Sequence, residues 1–126
     1  MWKNKYGAIR TLGNGISFAS KLESATYDYL LLLEKAGELR DIKCQHTVHM
    51  TRANISWKAD FKAFDVKNGY EILIETKGCA DSVWLIKLKL YRVYGEYPLW
   101  IFKGTYKKLY LHEVVIPDGW KNKKVS

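Results

Sequence analysis

The sequence predicts an α/β fold, more closely an α+β arrangement in which one mixed sheet packs against two helices. Three observations support this class. Two segments carry hydrophobic residues at helical intervals, and several others alternate hydrophobic and polar residues as half-buried strands do. The length of 126 residues suits one domain, 1–126, with 1–19 as an N-terminal arm or hairpin and 119–126 as a basic tail.

The N-terminal part is predicted to form a small hairpin and then the first helix. Gly13-Asn14-Gly15 separates two short runs, and these residue types tolerate the positive φ angles of a tight turn. Ser20 precedes Glu23 by three residues, which is the spacing of a capping box. Hydrophobic residues then recur at helical intervals until Gly37 provides a stop.

A meander of three strands is predicted next. Apolar and polar side chains alternate over 42–50 and over 57–63, and Lys67-Asn68-Gly69 turns the chain into a third strand, 70–77. On that third strand, alternation places Glu75 and Lys77 on the same face. The second strand is expected to bury one apolar face, made of Trp57, Ala59, Phe61 and Ala63.

The second helix is predicted to begin at Asp81 or Ser82 and to run to about Tyr94, with a basic surface. Pro98 breaks its pattern, after which 99–102 and 109–116 have the composition of late strands. The predicted order is therefore hairpin, helix, three-strand meander, helix and strand. A frayed basic tail, Lys121-Asn122-Lys123-Lys124, is expected at the end.

The charge favours a polyanionic partner. The chain has 21 Lys and Arg against 13 Asp and Glu, a formal net charge of +8, and clustered cations gain affinity by releasing counterions from phosphates. The two cysteines, Cys44 and Cys79, form neither a CxxC pair nor a disulfide framework, as is typical of free thiols in a reducing cytosol. No secretory signal or apolar run of roughly 20 residues is evident. We therefore expect a soluble, cytoplasmic protein with no membrane partner.

The most informative residues are Asp60 and the triplet Glu75-Thr76-Lys77, which lie on consecutive predicted strands. Paired strands lie about 4.8 Å apart, so carboxylates on the same side can reach one hard cation. Mg²⁺ bound in this way neutralises charge on a phosphodiester and activates a water molecule. Lys77 would orient that water or stabilise charge on phosphorus. The pattern indicates a metal-dependent phosphodiesterase site.

In type, order and strand context, Asp60 and Glu75-Thr76-Lys77 resemble the motif of the PD-(D/E)XK nuclease superfamily. Ala59 stands where the motif's name places proline. The chain also resembles a phage-encoded family of unknown function in that superfamily, over roughly 5–94, while the C-terminal third is unmatched. The matching segments are Lys5-Tyr6-Gly7, 15–23, 33–37 and Ala59-Asp60-Phe61.

This resemblance implies a restriction-endonuclease-like core and an endonuclease that hydrolyses DNA with Mg²⁺, for which Mn²⁺ can substitute. Asp60, Glu75 and Glu23 would bind the metal, and Lys77 would complete the catalytic set. Gln45 stands where the phage family often has glutamine. By analogy with the superfamily, the substrate would be branched DNA such as a Holliday junction. A homodimer in the bacterial host cell would suit paired incisions.

Basic residues near the site and on the second helix are expected to contact DNA phosphates, or alternatively to serve only as a solvated surface. They are Lys58, Lys62, Lys87, Lys89 and Arg92. The acidic residues have structural alternatives too. Glu23 serves equally well as the N3 residue of a capping box, and Asp60 and Glu75 as solvated strand residues, although aspartate is poorly suited to a strand.

Histidines and aromatic residues provide weaker signals. His46 and His49 have an H-x-x-H spacing, but on a strand they face opposite sides and are expected to be structural or surface residues. Most aromatic residues should pack in the core, while Trp84, Tyr91 or Trp100 are candidates for base stacking or a dimer contact. Two rival functions stay open: a nuclease-like fold that binds nucleic acid without cutting it, and a purely structural phage protein.

Overall fold

The computed structural model describes residues 10–11, 17–18, 20–79 and 81–120. Two helices and seven strands lie within these ranges, and 118–120 add a further helical turn. In chain order they are β1 (Arg10–Thr11), β2 (Ser17–Phe18), α1 (Lys21–Lys35), β3 (Leu39–His49), β4 (Ser56–Asp65), β5 (Tyr70–Thr76), α2 (Ser82–Tyr94), β6 (Leu99–Thr105) and β7 (Lys108–Val115).

Strands β3 to β7 form one five-stranded sheet in the order β3-β4-β5-β6-β7. Neighbouring strands are antiparallel except β5 and β6, which run parallel because α2 carries the chain back between them. The mixed sheet confirms the predicted fold class, and the element order agrees with the prediction. The parallel pair is important below because it places the ends of β5 and β6 at the same edge of the sheet.

Both helices begin at side-chain caps. Ser20 Oγ accepts a hydrogen bond from the Glu23 backbone N–H at 3.1 Å, which satisfies one of the otherwise unpaired N–H groups of the first turn of α1. Of the two predicted caps for α2, Asp81 is correct, since its Oδ1 accepts from the Trp84 N–H at 2.8 Å. Gly37 follows α1 with a φ of +81°, the left-handed conformation that ends many helices.

The two helices cover opposite faces of the sheet. Leu30 of α1 belongs to one buried cluster, and Tyr91 of α2 belongs to a second. Alternate residues of β5 divide between them: Ile72 and Ile74 pack with α1, whereas Leu73 packs with α2. The predicted alternation along β5 is confirmed, and it sends Glu75 towards the α2 side.

Strand β4 departs from its predicted pattern. Its four alternating apolar residues are all buried, as expected, but they do not share a face. Trp57 and Ala59 pack in the α2 cluster, whereas Phe61 and Ala63 pack in the α1 cluster. The prediction of one common apolar face is therefore wrong, because at Asp60 the apolar side chains of β4 switch from one face of the sheet to the other.

The change of facing coincides with an irregularity in the neighbouring strand. Regular pairs join His46 to Ala59 and Cys44 to Phe61, on either side of Gln45 and Asp60. Gln45 itself has a φ of +62°, which is uncommon for a residue other than glycine. Such a local departure interrupts the period-two alternation that the sequence pattern assumes.

The remaining boundaries differ little from the predictions. Strand β5 ends at Thr76, although the Lys77 N–H still donates to the Phe102 carbonyl of β6 at 2.9 Å. Strands β1 and β2 pair antiparallel as a hairpin. The predicted turn Gly13-Asn14-Gly15 and the predicted tail Lys121-Asn122-Lys123-Lys124 lie outside the described residues. In the described ranges, no helix has the length and apolar character needed to cross a bilayer.

Leu30→Ala is expected to lower the free energy of unfolding by about 2–5 kcal/mol, because it leaves a cavity under α1 where Leu30 is 0% exposed. The matched control is Leu32→Ala on the same helix, where the side chain is 65% exposed and the change should stay within about 0.5 kcal/mol. Urea denaturation followed by tryptophan fluorescence measures both. Equal losses in the two variants would contradict this packing of α1.

Candidate active site

Asp60 and Glu75 lie opposite each other where β4 and β5 stop pairing through their backbones. The regular pairs between these strands end at Phe61 and Ile74. Beyond them, the Asp60 N–H donates to Glu75 Oε1 at 3.2 Å, and the Thr76 N–H donates to Asp60 Oδ2 at 2.8 Å. Each carboxylate therefore accepts a hydrogen bond from a backbone N–H of the other strand, as a backbone carbonyl does in the regular part of the sheet. The two predicted acidic residues are brought together by this exchange.

Glu75 is held in place from the α2 side. Only 4% of its surface is exposed, and its Oε1 also accepts a hydrogen bond from the indole Nε1 of Trp57 at 3.3 Å. The Trp57 ring is in turn packed edge-on against Trp84 and Tyr91, with centroid distances of 5.5 and 5.3 Å. The buried aromatic residues thus fix the orientation of one carboxylate oxygen.

Lys77 completes the predicted triad on the same face. Its Nζ lies 3.5 Å from Glu75 Oε2 and 4.9 Å from the centroid of the Trp84 ring. The Lys77 side chain is 28% exposed, whereas that of Glu75 is 5% exposed. The lysine therefore lies between a buried carboxylate and solvent, which is the position required of a group that contacts an incoming ligand.

Glu23 brings α1 into the same cluster. It is buried in the first turn of α1, and its side chain shares a hydrogen bond with Asp60. A hydrogen bond between two carboxyl groups requires a proton on one of them. Nearby, the Thr76 hydroxyl donates to the Thr26 hydroxyl at 3.0 Å, which ties α1 to β5 beside Glu75. Glu23 can therefore serve as the N3 residue of α1 and also form one group of carboxyls with Asp60 and Glu75. We call these three residues the acidic cluster.

The environment raises the pKa values of the two strand carboxyls. Burial is the main cause at Asp60, where the charge of Glu75 and the hydrogen bond with Glu23 act in the same direction and raise the pKa to about 9. Burial also raises the pKa of Glu75, to about 7, against the opposing effects of Lys77 and the donated hydrogen bonds. The cluster thus contains more acidic than basic groups, and burial makes their charged forms unfavourable. Binding of protons or of a cation would relieve this unfavourable charge.

The donor set has the chemistry of a site for a hard cation. Asp60, Glu75 and Glu23 offer only carboxylate oxygens, which Mg²⁺ and Mn²⁺ prefer over softer ligands. In the part of the chain that the structure describes, no three His, Cys, Asp or Glu side chains are grouped in a ready-made metal site.

Two of the five basic residues expected at DNA are engaged within the protein. Lys62 Nζ lies 3.3 Å from Glu71, and Arg92 Nη2 lies 2.9 Å from Glu113. Lys62 also lies over the ring of Tyr97, at 4.8 Å from its centroid. Both cations would have to exchange these partners for phosphate.

The other three basic residues, on β4 and α2, differ in their exposure. Lys58 and Lys89 are exposed, and Lys87 is partly buried. Since Lys87 follows Trp84 by three residues, it lies on the flank of α2 that contacts Lys77. Beside these basic residues, the surface of α2 also exposes hydrophobic side chains. These include Val83, Leu85, Ile86, Val93 and Tyr94.

The aromatic residues and histidines singled out in the sequence lie outside the group formed by Asp60, Glu75, Lys77 and Glu23. Trp84 and Tyr91 are 4% and 1% exposed, so the suggestion that they stack on bases is wrong; both support Trp57 instead. Trp100 is partly exposed and lines a groove beside α1. His49 is exposed and His46 partly buried, where burial and the charge of Lys62 lower the pKa of His46.

Sequence reasoning missed the residues that support the acidic cluster. Trp57 was expected only in the core, and Thr26 was not singled out, yet they orient Glu75 and join α1 to β5. A signal for Trp57 existed, because a tryptophan N–H on a buried strand needs an acceptor and Glu75 is the acidic residue of the next strand.

The pH dependence of stability tests the raised pKa values of Asp60 and Glu75. In the unfolded chain these carboxyls have ordinary pKa values near 4, so the folded protein binds more protons and its free energy of unfolding falls as pH rises from about 5 to about 8. The slope approaches about 1.4 kcal/mol per pH unit for each retained proton. The double variant Asp60→Asn, Glu75→Gln should lose this slope in urea denaturation with EDTA; an identical slope would contradict the assignment.

Comparison with known proteins places the chain in a family. A family model described as "Protein of unknown function (DUF1064)" matches residues 3–115. No curated protein and no solved structure matches the chain. Because the match extends over nearly the whole sequence and includes every residue of the acidic cluster, the protein belongs to the DUF1064 family.

Proposed function

We propose that the protein is a Mg²⁺-dependent endonuclease that hydrolyses phosphodiester bonds of DNA. The observation that carries the proposal is the cluster of Asp60, Glu75 and Lys77, in which a partly buried and a buried carboxyl, both with raised pKa values, adjoin a partly exposed lysine. Perturbed carboxyls of this kind cluster at functional sites.

Each residue of the cluster has a distinct role in the proposed reaction. Asp60, Glu75 and Glu23 would hold Mg²⁺, or Mn²⁺ in its place. The bound ion would neutralise charge on the scissile phosphate and lower the pKa of the attacking water. Lys77, held by Glu75 Oε2, would orient that water or stabilise charge developing on the phosphate oxygens.

The fold supports these roles by fixing the side chains before a substrate arrives. Glu75 Oε1 is directed towards β4 by Trp57 and by the Asp60 N–H. Its other oxygen, Oε2, is left on the Lys77 side. Preorganised charges of this kind cost little reorganisation during the reaction, which is why they stabilise transition states effectively.

DNA is the proposed partner, and branched DNA is the proposed preference. The net charge of +8 supports a polyanionic substrate. Lys87 extends basic charge along α2 from the Lys77 side of the cluster, whereas Lys89, two residues on, lies on nearly the opposite side of the helix. Preference for branches follows only from the resemblance to junction-cutting nucleases, and action in the cytoplasm follows from the free thiols Cys44 and Cys79.

Asp60→Asn or Glu75→Gln is expected to reduce cleavage to background with either Mg²⁺ or Mn²⁺, because each removes a carboxylate from the cluster. Lys77→Met should lower the rate by about 10²–10³-fold. The assay is a panel of labelled junction, flap, duplex and single-stranded DNA substrates. Junction or flap cleavage above duplex cleavage is the expected order.

The matched controls are Glu34→Gln and Lys35→Met, which alter one exposed acid and one exposed base in the last turns of α1. Both should cleave at the wild-type rate. Cleavage by the Asp60 or Glu75 variant at that rate would refute the assignment. Wild-type protein that binds the panel without cutting it would instead support a non-catalytic nucleic-acid-binding function.

We also propose a homodimer that pairs the exposed hydrophobic side of α2. Val83, Ile86 and Val93 recur there at helical spacing, and an exposed hydrophobic stripe of this kind marks interaction surfaces. Each chain contains one proposed active site, so paired incision of two DNA strands would require two chains.

Ile86→Glu is expected to convert the dimer to a monomer in sedimentation velocity experiments, because it buries a charge in the interface. Val66→Glu is the control, since Val66 is similarly exposed but lies in the turn after β4. A monomeric wild-type protein at the highest soluble concentration, or a dimer unaffected by Ile86→Glu, would contradict this interface.

A further inference from the structure

A groove of about 640 Å³ lies between α1 and the hairpin of β6 and β7. Tyrosine rings form much of its wall, and each is between 42% and 52% exposed. They are Tyr29, Tyr106 and Tyr110. Asp28 lines the groove on α1, and Glu38, Asp65 and Lys67 line it beyond the end of that helix. Lys107 lines it in the hairpin turn.

The hairpin turn presents an aromatic ring and a cation at a fixed position. Tyr106 and Lys107 are its two central residues, between the paired Thr105 and Lys108. Thr105 Oγ1 accepts a hydrogen bond from the Lys108 N–H at 3.2 Å. Gly104 has a φ of +111°, and a Cβ there would collide with the Lys108 carbonyl oxygen. Neither Tyr106 nor Lys107 has a positive φ, so this turn does not require Asn, Asp or Gly at its centre and leaves both side chains available to a ligand.

A second cation reaches the same ring from α1. Lys21 Nζ lies 4.9 Å from the centroid of the Tyr106 ring, and Lys107 Nζ lies 5.7 Å from it. We call Tyr106, Lys21 and Lys107 the tyrosine platform. An exposed aromatic ring flanked by cations on flexible stems is the combination that binds single-stranded nucleic acid, because the ring stacks on a base and the cations meet the phosphates.

The platform is close to the acidic cluster. Lys21 and Glu23 lie in the same turn of α1 but two residues apart, and hence on nearly opposite sides of the helix. Through Glu23 this turn contacts Asp60, and through Lys21 it contacts Tyr106. Glu75 pairs with Ile101 of β6, and Tyr106 lies five residues farther along that chain at about 3.3 Å per residue, so roughly 16 Å separates the platform from the carboxyls. With about 3.4 Å between successive stacked nucleotides of a strand, this span covers only a few of them.

We propose that the tyrosine platform binds an unpaired base a few nucleotides from the phosphate that enters the acidic cluster, so that the protein selects strands with a single-stranded segment. This inference rests on the proposed function and names its substrate class. A continuous duplex keeps its bases stacked inside and cannot offer one to Tyr106, whereas a flap or an open junction can. Specificity then comes from strand structure and not from base sequence, since every base has an aromatic face.

Binding to a fluorescein-labelled oligothymidylate and to a blunt duplex of equal length tests the platform. Anisotropy titrations in EDTA, without any divalent metal, separate binding from cleavage. Tyr106→Ala should weaken oligothymidylate binding about five- to a hundredfold and leave duplex binding almost unchanged. Tyr106→Phe should bind as the wild type does, because the ring is kept. Tyr94→Ala, which removes a comparably exposed tyrosine at the end of α2, is the matched control.

The salt dependence of binding measures the phosphate contact of Lys107 independently of stacking. Lys107→Met should reduce the slope of log affinity against log salt by about 0.7, the contribution of one phosphate contact on a single strand. Tyr106→Ala should leave that slope unchanged, because stacking releases no counterions.

The outcomes separate this inference from the nuclease assignment. Oligothymidylate binding that Tyr106→Ala leaves intact, or an equal loss for oligothymidylate and duplex, overturns the platform whether or not the protein cleaves DNA. So does a wild-type protein without measurable affinity for the oligothymidylate, since the ring would then serve only its contacts with Lys21 and Lys107. Selective loss in Tyr106→Ala combined with no cleavage of any substrate upholds the platform and refutes the nuclease.

Discussion

The burial of Asp60 and Glu75 at the point where β4 and β5 separate is the constraint on which the rest of the site depends. Glu75 is buried and Asp60 is partly buried, and each accepts a backbone hydrogen bond from the opposite strand. Leaving either group unpaired in such a place would be costly. The surrounding residues are therefore arranged to satisfy these two groups, through the indole of Trp57, the ammonium of Lys77 and the carboxyl of Glu23.

The two helices contribute to this edge of the sheet in different ways. α2 lies on one face and fixes Glu75 through an aromatic stack that ends at Trp57. α1 lies on the other face, and its first turn contacts both the acidic cluster and the hairpin of β6 and β7. The parallel pairing of β5 and β6 directs both strands towards the same end of the sheet, where β6 continues past the pair of Thr76 and Phe102 to the hairpin turn. One edge of the sheet thus combines buried acids with exposed cations and a tyrosine.

Charge is distributed unevenly over this edge, although the whole chain is strongly basic. The excess of acidic groups is buried, whereas Lys77, Lys87 and Lys107 are placed where a polyanion can approach. An isolated basic patch would bind phosphate without acting on it, and an isolated acidic cluster would repel it. Their combination is what a phosphodiester substrate bridged by a cation requires, and it supports the proposed function more than either feature alone.

The sequence by itself determined the element order, the cap at Ser20, the start of α2 at Asp81 or Ser82, and the side of β5 that carries Glu75, because these depend on local hydrogen bonds and on strict alternation within one strand. Only the tertiary structure decided that β4 changes its facing at Asp60 opposite Gln45, and that Glu23 reaches Asp60 while Arg92 is paired with Glu113. These depend on contacts between segments far apart in the chain. Local patterns carry no record of such contacts, since packing between elements fixes them during folding.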